Sequence, residues 1–168
     1  MTMASEERLL LTFAVASEPG NERLALARVA EAVGGCGLSA DQLERLKTAV
    51  AEATMNAIEH GNHNRADVNV DITVVDTGAS VAVSITDLGG AHAPTKAAVE
   101  LPDLDMKLAG LQSPRGWGLF LIQNMVDAME VSTDGDKHTV RLMMHTAWPS
   151  EPLAQPRNPE GEPRAKQM

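Results

Sequence analysis

The sequence predicts an α/β two-layer sandwich, and three observations carry that prediction. Apolar residues recur at three- and four-residue steps from Leu43 to Ile58 (Leu43, Leu46, Ala49, Val50, Ala53, Ala57, Ile58), the period of a helix with one buried stripe. From Val68 to Val74, and again from Val81 to Ile85, they recur at every second position, the period of half-buried strands. The two alternating segments are separated only by Asp76-Thr77-Gly78-Ala79, which makes them an antiparallel hairpin. Helices laid on one side of such a sheet bury both sets of apolar faces.

Taken in order, Arg8 to Ala16 alternates around Leu9, Leu11, Phe13 and Val15 and reads as a strand. A helix follows over Asn21 to Val33, with Ser17 or Asn21 as its cap and Pro19 near its first turn. Gly34, Gly35 and Gly37 end it. Ser39 caps the central helix, with Gln42 in the reciprocal capping-box position. On that helix Glu52 and Asn56 are four apart and stand one above the other; His60 continues the line and Gly61 is the expected C-cap. A carboxamide beside an alanine-rich stripe is costly to bury unpaired, so Asn56 is expected to have a specific polar partner. Asp87 ends the second strand of the hairpin, and Gly89 and Gly90 allow the backbone to come close to a ligand there. Residues 91–113 are irregular, with Pro94 and Pro102 and an acidic section at Asp103 and Asp105; a loop this long in a small domain usually serves a function. Arg115-Gly116-Trp117-Gly118 then enters an apolar helix built from Leu119, Leu121, Ile122, Met125, Val126 and Met129. Glycines at a helix entrance leave backbone N–H groups free to receive phosphates, and Arg115 adds positive charge. A last hairpin joins Glu130–Ser132 to Thr139–Met144. Beyond Ala147 the chain is rich in proline and charge, and a disordered tail is expected over residues 148–168.

Composition narrows the function classes. The 168 residues suit one domain, here 8–147, followed by the tail. A net charge of −9, with no Tyr, two Phe and two Trp, argues against direct nucleic-acid binding. No apolar run approaches the length of a membrane span, and the single cysteine, Cys36, fits a reducing compartment, so a cytoplasmic location is expected. Cys36 has no His or second Cys near it in sequence and reads as an ordinary small residue.

Three short motifs, each weak alone, are informative in combination. Glu52-Ala53-Thr54-Met55-Asn56-Ala57-Ile58-Glu59-His60-Gly61 resembles the N-box of the GHKL, or Bergerat-type, ATP-binding fold. Asp87-Leu88-Gly89 resembles its first glycine box, and Gly116-Trp117-Gly118-Leu119-Phe120-Leu121-Ile122 its second. The Glu59-His60-Gly61-Asn62 ending, the Gly118–Ile122 helix and the small size are similar to the bacterial anti-sigma-factor serine-protein kinases, over about Leu9 to His145. The resemblance implies a mixed, mostly antiparallel sheet with helices on one face and a flexible ATP lid over 91–113.

It also implies roles. Asn56 would be the Mg²⁺ ligand, Asp87 the acceptor of the adenine amino group, and Gly89 the point where backbone approaches the base. Arg115, Gly116, Gly118, Leu119 and Thr139 complete the expected nucleotide-binding set, and Glu52 would be the base that takes a proton from the incoming hydroxyl. The chain departs from the family at Ala91, where a fuller first glycine box has Gly, and at His138, which stands where the family commonly has Thr, with Thr139 beside it. The activity implied is Mg-ATP-dependent serine/threonine phosphorylation of a small STAS-like anti-anti-sigma protein carrying a target serine. A sigma factor as second partner and a homodimer are implied with it. Two other readings are a non-catalytic ATP-dependent regulator of the same fold and a zinc site drawing on Glu52, His60 and His63.

Overall fold

The computed structural model describes residues 6–89 and 114–146, and the expected lid over 91–113 and tail over 148–168 lie outside them. Strand β1 (Arg8–Ala16) leads to α1 (Asn21–Ala32) and α2 (Ala40–Asn56), which runs into one π-helical turn (Ala57–Gly61). The hairpin β2 (Asn69–Asp76) and β3 (Ser80–Asp87) comes next, then α3 (Pro114–Met125), β4 (Ala128–Asp134) and β5 (Lys137–His145). The five strands form one sheet in the order β1-β2-β3-β5-β4, with every described pairing antiparallel. All three helices share one layer, α2 packing between α1 and α3.

The alternation in sequence becomes a two-faced sheet. Val70, Ile72, Val74, Val83, Ile85, Leu142 and Met144 point into the helix layer and are buried against Val29, Leu46, Val50, Ile58 and Ile122. The other face carries polar pairs, with Thr12 bonded to Thr73 at 3.3 Å and Thr86 to Thr139 at 2.8 Å. The chain is thus a two-layer sandwich with its helices on one face, as the periodicity predicts.

Four local expectations change. Neither Ser17 nor Asn21 caps α1: the N-cap is Gly20, Ser17 Oγ donates to Val68 O at 2.6 Å, and Asn21 Nδ2 donates to Ala16 O at 2.8 Å. Gly61 is not a C-cap but the buried last residue of the π-turn. His60 does not continue the line of Glu52 and Asn56; the π-turn leaves it exposed. Met129 belongs to β4 rather than α3, because α3 ends at Met125. The cap of α2 is as expected, with Gln42 N–H donating to Ser39 Oγ at 3.1 Å and Ser39 N–H to Gln42 Oε1 at 2.9 Å.

Candidate active site

The site is built along α2. Its apolar stripe, Leu46, Ala49, Val50 and Ala53, is buried, and this fixes the rotation of the helix. Glu52 and Asn56 are half-buried on one line of that helix. Gly118, in the first turns of α3, lies directly over them. A Cβ placed on Gly118 would fall 3.0 Å from both Glu52 Oε1 and Asn56 Nδ2, and 3.4 Å from Asn56 Oδ1. A side chain here would make the neighbouring Glu52 and Asn56 groups give by a few tenths of an ångström, so glycine lets this backbone approach them closely. The spacing of the N-box and the second glycine box therefore becomes contact between Gly118, Glu52 and Asn56.

Five residues beyond Asn56 the chain reaches Gly61, about 7 Å further along the axis at an ordinary helical rise. Asn62 N–H donates to Ala57 O at 2.8 Å, the five-residue step of a π-helix. The widened turn presses Gly61 against Asp87, whose carboxylate occupies the space a Cβ on Gly61 would need. Gly89 in turn lies against the Gly61 backbone, with equally little room for a side chain. Immediately after this turn, His63 and Asn64 adopt left-handed backbone (φ 52° and 57°), a conformation that costs energy for a non-glycine residue.

Asp87 is 4% exposed. Its Oδ1 accepts the Gly89 N–H at 2.8 Å and its Oδ2 accepts from His138 Nδ1 at 3.1 Å. These two bonds offset part of the cost of burying a carboxylate and fix its plane, while each oxygen keeps a second lone pair. His138 faces Asp87 because the two are register partners on neighbouring strands. Thr139, one residue along, points to the other face, where its hydroxyl meets that of Thr86 at 2.8 Å. The structure does not bring Thr139 to Asp87; it brings His138. Leu119 is buried beneath the start of α3. Arg115 and Gly116 fall in the first turn of α3, and the Arg115 side chain lies outside the described residues.

Three residues of the site receive no site role from the motif reading: Gly61, which reads as a cap; His138, which reads only as a departure; and Asn62. The last is buried and accepts the Leu88 N–H at 2.9 Å. The only sequence signal for it is its place at the end of Glu59-His60-Gly61-Asn62.

The residues present suit a magnesium nucleotide. Asn56 Nδ2 is buried and finds no hydrogen-bond partner among the described residues, in contrast to the partner expected for it, and the same holds for His138 Nε2. Buried polar atoms are rarely left unpaired in a protein working alone. Asn56 offers Mg²⁺ a hard carbonyl oxygen, and Asp87 offers an exocyclic amine an anionic acceptor. Zinc is less well served: His60 and His63 are exposed, and no group of three or more His, Cys, Asp or Glu side chains among the described residues is placed to hold a metal. Cys36 is apart from the site, and burial, followed by the nearby Asp76 carboxylate, pushes its thiol up from the ordinary range. It is an ordinary side chain rather than a nucleophile.

The family model described as histidine kinase-like ATPase domain matches residues 15–144. The chain belongs to this family. Within it, the chain is 30% identical over 140 residues to the anti-sigma F factor of Oceanobacillus iheyensis, covering 80% of this chain and 88% of that protein. The anti-sigma F factor of Geobacillus kaustophilus is 31% identical over 144 residues, at 82% and 91% coverage. The chain thus falls in the anti-sigma-factor branch. Solved structures agree in fold. The SiaB–SiaC complex from Pseudomonas aeruginosa matches with TM-score 0.58 at 15% identity, over 82% of this chain and 90% of that one. The RsbU and RsbW domains of a Mycobacterium tuberculosis protein match with TM-score 0.56 at 17% identity, over 80% and 31%.

Proposed function

We propose that this protein is a Mg-ATP-dependent serine/threonine protein kinase that phosphorylates a small anti-anti-sigma protein and serves as an anti-sigma factor in a partner-switching pathway. The observation that carries the reading is the convergence of Gly118 on Glu52 and Asn56, one helical stretch away from the Gly61–Asp87 contact. Asp87 would hold the base amine of a nucleotide laid along that stretch, and the entrance of α3 would receive its phosphates. Bound Mg²⁺ would neutralise charge on the phosphate oxygens, with Asn56 Oδ1 as a protein ligand.

The chain's own residues then do the following. Asp87 holds the adenine amino group through a lone pair left free by Gly89 and His138. Gly89 gives the base room. The N–H groups at the start of α3, around Gly116 and Gly118, face the phosphates, with Arg115 adding charge and Leu119 seating the helix. Glu52 takes the proton of the partner's serine hydroxyl as its oxygen bonds to the γ-phosphorus. The bond from that phosphorus to the bridging oxygen breaks, and ADP leaves. Phosphoryl transfer needs little more than such positioning and charge neutralisation.

The kinase domain is taken as 8–147, in the cytoplasm. The target serine is carried by a separate small protein of STAS-like type, the partner that likeness to anti-sigma F factors suggests. A sigma factor is the second partner, and the kinase works as a homodimer. Purified protein with Mg-ATP and a small STAS-like protein from the same organism tests the reading: phosphoserine on that protein, detected by mass spectrometry, is expected. ATP binding without transfer would favour a non-catalytic regulator, and a single-chain mass by light scattering across concentration would remove the dimer.

A further inference from the structure

Asn62 is 4% exposed, and its amide is engaged with three other parts of the fold. Its Nδ2 donates to Ser17 Oγ at 2.9 Å and to Asn69 O at 3.2 Å. Its Oδ1 accepts the Leu88 N–H at 2.9 Å. Ser17, fully buried, donates its own hydroxyl hydrogen bond to Val68 O at 2.6 Å. The end of β1, the start of β2, the π-turn and the end of β3 thus meet on one satisfied polar cluster.

The two sides of the amide have different duties. The donor side joins β1 to β2, a connection the strand ladder between Ala16 and Asn69 already makes. The acceptor side holds something the ladder does not. Leu88 is the first residue beyond β3, and its side chain is half exposed, so little packing restrains it. The Asp87-Leu88-Gly89 turn is therefore held by two amides: Gly89 N–H on Asp87 Oδ1, and Leu88 N–H on Asn62 Oδ1.

We propose that Asn62 is a positioning residue for nucleotide binding, which presets the Asp87 carboxylate by tethering the Leu88 amide to the end of the π-turn. The proposal rests on the reading of Asp87 as the adenine acceptor. Asn62 touches no nucleotide atom; it lowers the ordering needed when the base arrives. It acts on binding rather than transfer, because Glu52 and Asn56 stand on the rigid part of α2 before the turn.

The test is titration of ATP and ADP into wild type, Asn62→Ala, Asn62→Asp, Ser17→Ala and Asp87→Asn, with thermal midpoints and single-turnover transfer at saturating ATP. Asn62→Ala is expected to weaken ATP and ADP alike by about tenfold, the scale of one buried hydrogen bond, with transfer at saturation within about twofold of wild type. Asn62→Asp keeps an acceptor for Leu88 and loses the donor, so affinity recovers towards wild type although the midpoint falls. Ser17→Ala lowers the midpoint and leaves affinity within about twofold, so a fall in affinity in Asn62→Ala is not a general consequence of weakening the cluster; an equal fall in Ser17→Ala would overturn the tether. Should Asn62→Ala fail to fold, hydrogen exchange on the wild-type apo protein decides: a protected Leu88 amide supports the tether and an unprotected one overturns it. Wild-type affinity in Asn62→Ala, or a loss confined to transfer, also overturns it. Asp87→Asn with undiminished affinity would overturn the base-site reading itself, and this proposal with it.

Discussion

Asp87 shows how a single side chain can be legible in type and illegible in setting. An aspartate at the end of a central strand, followed by glycine, is visible in the sequence, and so is its likeness to a base-binding carboxylate. Its partner is not. His138 meets it only because β5 pairs with β3 in the register that sets Asp87 opposite His138, and register across fifty residues is not written in local period. Alternation also explains why Thr139, adjacent in sequence, ends on the opposite face, bonded to Thr86. Asp87→Asn keeps the shape and a carbonyl for one bond while removing the charge. ATP affinity is expected to fall by about 1.5 to 3 kcal/mol, the scale of a hydrogen bond to a charged group, with a small change in thermal midpoint. Calorimetric titration giving equal affinities in wild type and variant would contradict the assignment.

Among the elements, the central helix divides at Asn56. Up to that residue the 3.6-residue period holds: Leu46, Ala49, Val50 and Ala53 are buried as the stripe requires, and Ser39 with Gln42 closes the capping box. Beyond it, the π-turn admits an extra residue and rotates everything that follows. This swings Asn62 inward and His60 out, the reverse of what a continued α-helix gives, while Gly61 stays buried. A period count cannot detect this, because the turn exists to fit the π-helical backbone against Asp87, a contact between distant parts of the chain. Gly61→Ala tests the fit. Its Cβ would overlap the Asp87 carboxylate, so the carboxylate or the turn must move. A destabilisation of about 1 to 3 kcal/mol, the cost of overpacking, is expected together with a loss of ATP affinity of at least about tenfold. Denaturant unfolding and nucleotide titration check both, and an alanine variant with wild-type affinity would show that the turn does not set the base site.

At the scale of the whole molecule, the layers were legible and the strand order was not. Both hairpins and the helices between them follow from local alternation and stripe, and amphipathic elements have few ways to bury their faces other than a sandwich. The insertion of β5 between β3 and β4 depends on which sheet edge the chain reaches after α3, which no local pattern states. That topology matters to function because it sets His138 beside Asp87, while the packing of α3 on α2 sets Gly118 over Glu52 and Asn56. The two poles, base and phosphate, are thus joined by one helix, and the central claim is that Glu52 at the phosphate pole accepts the proton during transfer. The direct measurement is rapid-quench single-turnover transfer to the partner serine at saturating Mg-ATP, alongside nucleotide titration, for Glu52→Gln and Asn56→Ala. Glu52→Gln should bind ATP with near-normal affinity and lose about 10² to 10⁴ in transfer rate, the range of general-base loss. Asn56→Ala should lose magnesium-dependent nucleotide binding as well as turnover. Undiminished single-turnover transfer in Glu52→Gln would contradict the account, and nucleotide binding lost in parallel would make Glu52 a binding residue instead of the base.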